Sequence, residues 1–450
     1  MRQRFRILLL YVTTSLGGQG VLAPRESVAS PRFWPPDGER PGAVGREVGP
    51  RPIASRVIGP NIDAGLSNDA DEPQATNDPR SSGSVRFAGE DPSSDMRIRR
   101  LAVADAGGET TRFESPQAIK RSDQVEYEWT CVTEDARFPW RDGAGALTFK
   151  GRMWLLGGWN SNDEANFPRY CVNEVRSSQD GIDWIAVRKN TFSRRGLFDP
   201  TRDWEGRHTA GYAVFNDKMW IIGGDVNQGH YHFDVWNSED GVHWTLVNKD
   251  RPVPWGPRAL HHTVVHNGKI WVLGGQTIPQ IAFWKEVFHR DLWNSADGLN
   301  WRKVEAREPF WPQRGMIGGS AVFQGRIWVL GGGTYDTPNT PRRKYFNDVW
   351  SSEDGVSWTR HTSAAPWFPR QYHDVAVFDG RLWVLEGYNE VGGNRNDVWY
   401  SQDGANWFEV PNTPWAPRHA ASVFVHDGSL WMVAGNNMKA DVWRLRRKTP

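Results

Sequence analysis

Six times along the chain, four consecutive apolar residues run into a glycine stop. The runs are Met153-Trp-Leu-Leu-Gly-Gly158, Met219-Trp-Ile-Ile-Gly-Gly224, Ile270-Trp-Val-Leu-Gly-Gly275 and Ile327-Trp-Val-Leu-Gly-Gly332. Two degenerate copies follow, Leu382-Trp-Val-Leu-Glu-Gly387 and Leu430-Trp-Met-Val-Ala-Gly435. A strand that is apolar at every position is buried on both faces. Upstream of such runs lie turn pairs such as Asn267-Gly268 and Asp379-Gly380, whose residues accept the positive φ of a tight hairpin. Each run is therefore predicted to be the second strand of a hairpin. The first strand lies just before the turn, as at 259–266.

Three further elements recur in step with these runs. Asp-Val-Trp or a near variant begins at Glu174, Asp234, Asp291, Asp348, Asp397 and Asp441 and predicts a third strand. Ser-x-Asp-Gly-x-x-Trp follows it five times, ending at Trp184, Trp244, Trp301, Trp358 and Trp407, and predicts a turn into an outer strand such as 244–247. An arginine precedes each apolar run: Arg141, Arg207, Arg258, Arg314, Arg370 and Arg418. Each unit has room for four short strands, the size of a propeller blade.

The outer strand occurs only five times, and the copy missing belongs to the last unit. The segment 128–132 with Pro139-Trp-Arg141 matches the outer strand and exit loop of the other units. The fold class expected is thus all-β, a six-bladed propeller over residues 123–446, with the N-terminal strand completing the last blade. Closure removes the exposed edge of a linear stack.

Composition agrees with this picture. Of 26 tryptophans, all but Trp34 lie from Trp129 onward, and aromatic residues favour pleated, half-buried surfaces. Residues 24–122 are rich in Pro, Gly, Ser, Asp and Arg without apolar periodicity; they are expected to be a disordered linker. Residues 1–23 carry a basic start, an apolar run Ile7–Val12 and small residues to Ala23. That pattern fits a signal peptide, so a secreted or periplasmic location is expected. The run is too short to span a bilayer, and no integral membrane segment is expected. A net charge of +1 gives no reason to expect nucleic acid as a partner. Cys131 and Cys171 are the only cysteines; they exclude a cysteine-based zinc site or disulfide framework, and two unpaired thiols are expected.

The repeated Gly-Gly strand end and outer-strand Trp resemble those of kelch-repeat propellers, the superfamily that includes the galactose oxidase central domain. The resemblance covers residues 125–446 and implies the fold, while leaving function open, because such propellers serve as scaffolds, binders and enzymes. The Ser-x-Asp-Gly-x-x-Trp turn also looks like a shortened sialidase Asp-box. No Phe-Arg-Ile-Pro segment accompanies it.

Blade geometry sorts the loops into two faces. The loop entering the first strand and the loop after Gly-Gly open on one face, where ligands of related propellers usually sit. Six arginines on that face suggest an anion clamp, but six acids of the Asp-Val-Trp element match them one to one, which favours pairing within the blades. Repeated residues suit a task each blade shares, so binding is sought where the repeat breaks. The ligand-binding candidates are Asp142, Arg207, His208, Arg258, His261, Arg314, Tyr372, Arg418 and His419, with Phe283 and Arg342 on the long loops. Those loops run over 159–173, 276–290 and 333–347. His262 adjoins His261. Glu386 replaces a glycine, and with His373 and Arg370 it forms the set of catalytic candidates for general acid–base work on a sugar. A polar channel lining is the plainer reading of the three.

No cofactor and no metal site are expected. His230 and His232 sit in a loop without a recurring carboxylate partner in the sequence. Arg370-Gln-Tyr-His373 is similar to the Tyr-His copper-ligand segment of the galactose oxidase family. The cysteine that would cross-link a tyrosine lies elsewhere in the repeat, and six blades are counted where seven are usual. The functional expectation is an exported, non-enzymatic module that binds a protein or carbohydrate ligand through its long-loop face. The alternative is a carbohydrate-active enzyme similar to sialic acid mutarotases.

Overall fold

The structure is a computed structural model that describes residues 125–160, 170–192, 196–225, 230–277, 286–315, 319–335 and 342–448. The expected leader and linker lie outside the described residues, as do Phe283 and the middles of the three long loops. No helix among the described residues is long and apolar enough to cross a membrane.

Six four-stranded antiparallel sheets form the six blades of a propeller. Blade one comprises Gly145–Phe149, Arg152–Leu156, Val175–Ser178 and Ile185–Arg188. Blades two to five repeat this order, starting at Gly211, His262, Gly319 and Asp374. In blade six, Ser422–His426, Ser429–Val433 and Val442–Arg447 are joined by Tyr127–Thr133, which pairs with the third strand from Tyr127↔Arg447 to Thr133↔Val442. The expected closure is therefore observed.

The second strands form the centre of the core. Met153, Leu155, Leu156, Ile221, Ile222, Val272, Leu273, Val329, Leu330, Val384 and Leu385 are fully buried, each stabilising the fold by about 1.5–3 kcal/mol. The second-strand tryptophan donates its indole N–H back across the hairpin, to the carbonyl of Phe149 in blade one and of Phe215, His266, Phe323, Phe378 and His426 in the others.

The Ser-x-Asp-Gly turn is a structural device. In blade one the Ser178 hydroxyl accepts from Gly181 N–H, Asp180 accepts from the N–H groups of Ile182 and Asp183, and the Trp184 indole donates to the Gly181 carbonyl. The turn glycine is obligatory because it faces the neighbouring blade. A Cβ on Gly241 would lie 2.4 Å from Trp154, and one on Gly404 would lie 2.2 Å from Trp328.

A second contact also recurs around the ring. The tryptophan after the turn meets an aromatic residue of its own blade's entry loop, nearly edge-on. The pairs are Phe138–Trp184, Trp204–Trp244, Trp255–Trp301, Trp311–Trp358 and Trp367–Trp407. The sixth is Trp129–Trp415, with ring centroids 5.8 Å apart. Trp129 thus occupies the position in blade six that the missing repeat would have filled.

Candidate functional site

The six arginines are committed within their blades. Arg141 pairs with Glu174, Arg207 with Asp234, Arg258 with Asp291, Arg314 with Asp348, Arg370 with Asp397 and Arg418 with Asp441, at 2.5–2.8 Å. Each also donates to the carbonyl that ends its second strand, such as Gly157 O or Gly274 O. From blade two onward the third-strand tryptophan donates to the same acid, as Trp236 does to Asp234. All six arginine side chains are buried. The anion-clamp reading of Arg207, Arg258, Arg314 and Arg418 therefore gives way to the pairing that their number suggested. The same applies to Arg370 as a catalytic candidate.

Two residues after five of the six arginines, among the described residues, the backbone turns into the left-handed region. Gly143, Thr209, Leu260, Tyr372 and Ala420 have φ of 52–58°. Among the described residues they link blades five, six, one, two and three head to tail. Thr209 N–H donates to Gly143 O, Leu260 N–H to Thr209 O, Ala420 N–H to Tyr372 O and Gly143 N–H to Ala420 O, at 2.9–3.2 Å. Glycine meets the demand freely at Gly143; Thr209, Leu260 and Tyr372 meet it at a steric cost.

On the loop side of this belt, side chains from four blades converge. Tyr231, Leu260, Tyr335 and Tyr372 pack into one cluster with Ala259. Tyr335 meets Tyr372 edge-on at 5.8 Å, and Tyr372 stacks on His419 at 4.9 Å. Tyr388 flanks His419 at 5.6 Å, and Arg343 lies over the Tyr335 ring at 5.3 Å. Burial holds the His419 pKa down at about 3, so the ring is neutral, and its Nδ1 bonds Asn394. Tyr372 and His419 are thus brought together, and Arg342 lies exposed beside Arg343.

Across the axis, blades one and two supply an acidic cluster. His208 Nδ1 lies 3.0 Å from Asp225 Oδ1 and stacks against Trp159. Thr209 donates to Asp225 at 2.8 Å. Asp142 is buried nearby, and burial, with the Asp225 charge adding to it, raises its pKa to about 7. Cys171 Sγ sits 3.4 Å from the same His208 nitrogen. Burial pushes that thiol well above its usual range, which makes it an unreactive core group. Cys131 and Cys171 are both free.

Inside the belt lies a cavity of about 280 Å³ lined by, among others, Thr209, Tyr212, His262, Thr263, Ser320, His373 and Asp374. His373 is fixed between blades four and five: its Nε2 is 3.1 Å from Gly319 N and 3.0 Å from Leu330 O. Burial lowers its pKa to about 3, as it does for His261. Neither holds a proton to give at neutral pH. Glu386 is fully buried, takes φ of 51° in place of the usual glycine, and accepts from Ala421 N–H. It does not line the cavity. Its carboxyl adjoins that of Asp374, and burial with the Asp374 charge raises its pKa far above the carboxylate range. Two buried carboxyl groups in contact share a proton rather than ionise together.

The acid–base set drawn from the sequence is thus corrected. Glu386 stands behind Asp374, His373 is a neutral link between blades, and Arg370 is salt-bridged. The residue overlooked is Asp374, the carboxyl that reaches the cavity. Its signal was positional: the first residue of the inner strand is glycine in blades one, two and four, and an acid here. A second omission is Glu205, which the fold brings to His230 and His232.

No family model matches the chain. It is 27% identical over 190 residues to alpha-scruin of Limulus polyphemus and 24% identical over 194 residues to beta-scruin of the same organism. Each similarity covers 39% of this chain, but only 18% and 19% of the respective relative. Scruins are kelch-repeat proteins.

Proposed function

Since the chain is a six-bladed kelch-repeat propeller, we propose that it is a binding module that docks a protein partner on its loop face. The observation that carries this reading is the distribution of exposed apolar side chains. Among the described residues, five of the nine exposed large hydrophobic residues, Trp140, Leu197, Val287, Phe368 and Val391, lie in loops that open on that face, whereas Ile182, Ile185, Val242 and Val425 are scattered over two turns and two strands elsewhere. Around them stand Tyr335, Tyr372, His419, Arg342 and Arg343, residue types that anchor interfaces. The kelch-repeat character of the scruins supports the same class of role.

The test is site-specific photo-crosslinking of the full chain in its native cells. A crosslinker at Phe368 or Val391 should capture a discrete protein adduct, while one at Val242, in a turn on the opposite face, should not. Arg342→Ala or Phe283→Ala should weaken that adduct at least tenfold without lowering thermal stability. Equal capture from both faces would refute the proposal. Export by way of residues 1–23 is part of the same reading, and is tested by fusing them to a reporter that is active only outside the cytoplasm.

The Asp374–Glu386 pair favours one second reading, a small polar ligand such as an acidic sugar held in the channel. Anomer interconversion of acidic sugars should then be faster than in buffer and be lost in Asp374→Asn. A glycan bound on the aromatic cluster belongs to this reading as well, since tyrosine faces and amides suit sugar rings.

A further inference from the structure

Blade two breaks the repeat in a way that assembles a ligand set. Two residues before the blade arginine stands Glu205; the corresponding positions elsewhere are Pro139, Gly256, Pro312, Phe368 and Ala416. Two residues before the blade acid stands His232, and His230 precedes it by two more. The entry loop and the loop after Gly-Gly open on the same face, so these three side chains meet. Glu205 Oε2 lies 3.3 Å from His230 Nε2 and 3.6 Å from His232 Nε2. All three donor atoms fall within 4.8 Å of one another. His232 is more than nine-tenths buried, and its Nε2 makes no hydrogen bond.

We propose that Glu205, His230 and His232 bind a divalent transition metal of the zinc class, with a further coordination position open to solvent. Ligand bonds of about 2.0–2.2 Å at tetrahedral angles place donor atoms about 3.3–3.6 Å apart, and the distances from Glu205 to His230 and to His232 fall in that window. Two imidazoles and one carboxylate suit zinc and its neighbours rather than magnesium or calcium, which take oxygen donors. His230 and Glu205 side chains are 25% and 29% exposed, so the remaining position faces water or a partner's side chain. The flanks are held rigid by the blade's own salt bridge. Arg207 donates to the Glu205 carbonyl and to both oxygens of Asp234, and Asp234 stands 3.9 Å from His232 Nδ1. Asp234 is beyond hydrogen-bond range of His232 Nδ1 and accepts instead from Arg207 and Trp236, so it fixes the blade around the histidine rather than the ring itself.

The experiment uses the untagged full chain, stripped with chelator and titrated with zinc chloride by calorimetry. The wild type should take up one equivalent per chain and gain thermal stability on doing so. Cobalt should give the intense visible bands of a low-coordinate nitrogen–oxygen site. His230→Asn and Glu205→Gln change partly exposed side chains, so they should fold as the wild type does and bind zinc at least tenfold more weakly. His232→Asn should abolish the cobalt bands; if that variant fails to fold, the other two decide. No zinc uptake by the wild type, or unchanged uptake in His230→Asn and Glu205→Gln, would overturn the proposal. Partner crosslinking from Phe368 in the zinc-free chain tests the docking reading separately.

Discussion

The Tyr127 ring meets Trp383 edge-on at 4.8 Å, in the place where the other five second-strand tryptophans each receive the glycine of a neighbouring turn. The Tyr127 hydroxyl also donates to Asp379 at 2.6 Å. A ring thus fills the gap left where blade six lacks its own Ser-x-Asp-Gly turn. Tyr127→Ala should lower stability by about 2 kcal/mol, the value of burying a large apolar side chain. Tyr127→Phe should lose only about 1 kcal/mol for the hydrogen bond. Urea unfolding followed by tryptophan fluorescence measures both, and equal midpoints for the two variants would contradict this account of the seam.

The salt bridges inside the blades should behave as structural pairs. Arg314 is fully buried and holds Asp348 through two hydrogen bonds of 2.8 Å. Arg314→Ala strands a buried carboxylate, which costs about 3–5 kcal/mol. Arg314→Lys should recover little, because an ammonium group cannot match the two-pronged contact. Chemical denaturation of the three proteins reads the difference; a fully stable Arg314→Ala would remove the pair from the fold's supports.

The Asp374–Glu386 pair sets a dependence on pH. Both folded-state pKa values are raised by burial. A raised carboxyl pKa contributes stability that is complete below the unfolded value and is lost as pH climbs through the folded one. Glu386→Gln keeps an acceptor for Ala421 N–H and a donor for Asp374 while removing one acid. The variant should match the wild type near pH 4 and exceed it by about 1 kcal/mol or more at pH 8. Denaturation midpoints at the two pH values test this, and a variant weaker at pH 8 would count against a shared proton.

The buried histidines work in the opposite sense. His261, His373 and His419 have folded pKa values near 3, lowered from 6.5 chiefly by burial. Their contribution is present above pH 6.5 and is lost as pH falls toward 3, because only the unfolded chain takes up the proton. Each steepens acid destabilisation by at most about 1.4 kcal/mol per pH unit. His373→Gln should flatten the stability curve between pH 6.5 and 4 by about one proton. An unchanged slope would mean that His373 is protonated in the folded state.

The two thiols should be told apart by reagent. Cys131 is exposed on the closing strand and Cys171 is buried beside His208. A thiol-specific reagent should titrate one equivalent quickly in the native chain and a second only after denaturation. Two fast equivalents would show that the blade-one loop opens.

Strand order and the turn motif were legible in the sequence because each is dictated six, or five, times over by local chemistry, and closure because the single outer strand missing from the last unit is matched by residues 128–132. The Arg258–Asp291 pairing was also legible, since equal numbers of opposite charges start on one face. The Asp374–Glu386 contact was not. The two residues are twelve apart and meet because antiparallel pairing sets Asp374 opposite Leu385, the neighbour of Glu386. Without that register Glu386 reads as a channel residue. The meeting of Glu205 with His230 and His232 was hidden for a related reason. It joins the loops at the two ends of one hairpin, which look unrelated along the chain.

The belt through Gly143, Thr209 and Leu260 has a consequence for recognition. Its hydrogen bonds all run in one rotational sense, each from a blade to the one before it. Blade six, one or two cannot tilt without breaking a bond on either side, so the loops rooted just above this part of the belt keep fixed relative positions. A docking partner then meets a surface whose spacing was set when the protein folded. The loss of backbone freedom that usually opposes association has, for these loop roots, already taken place.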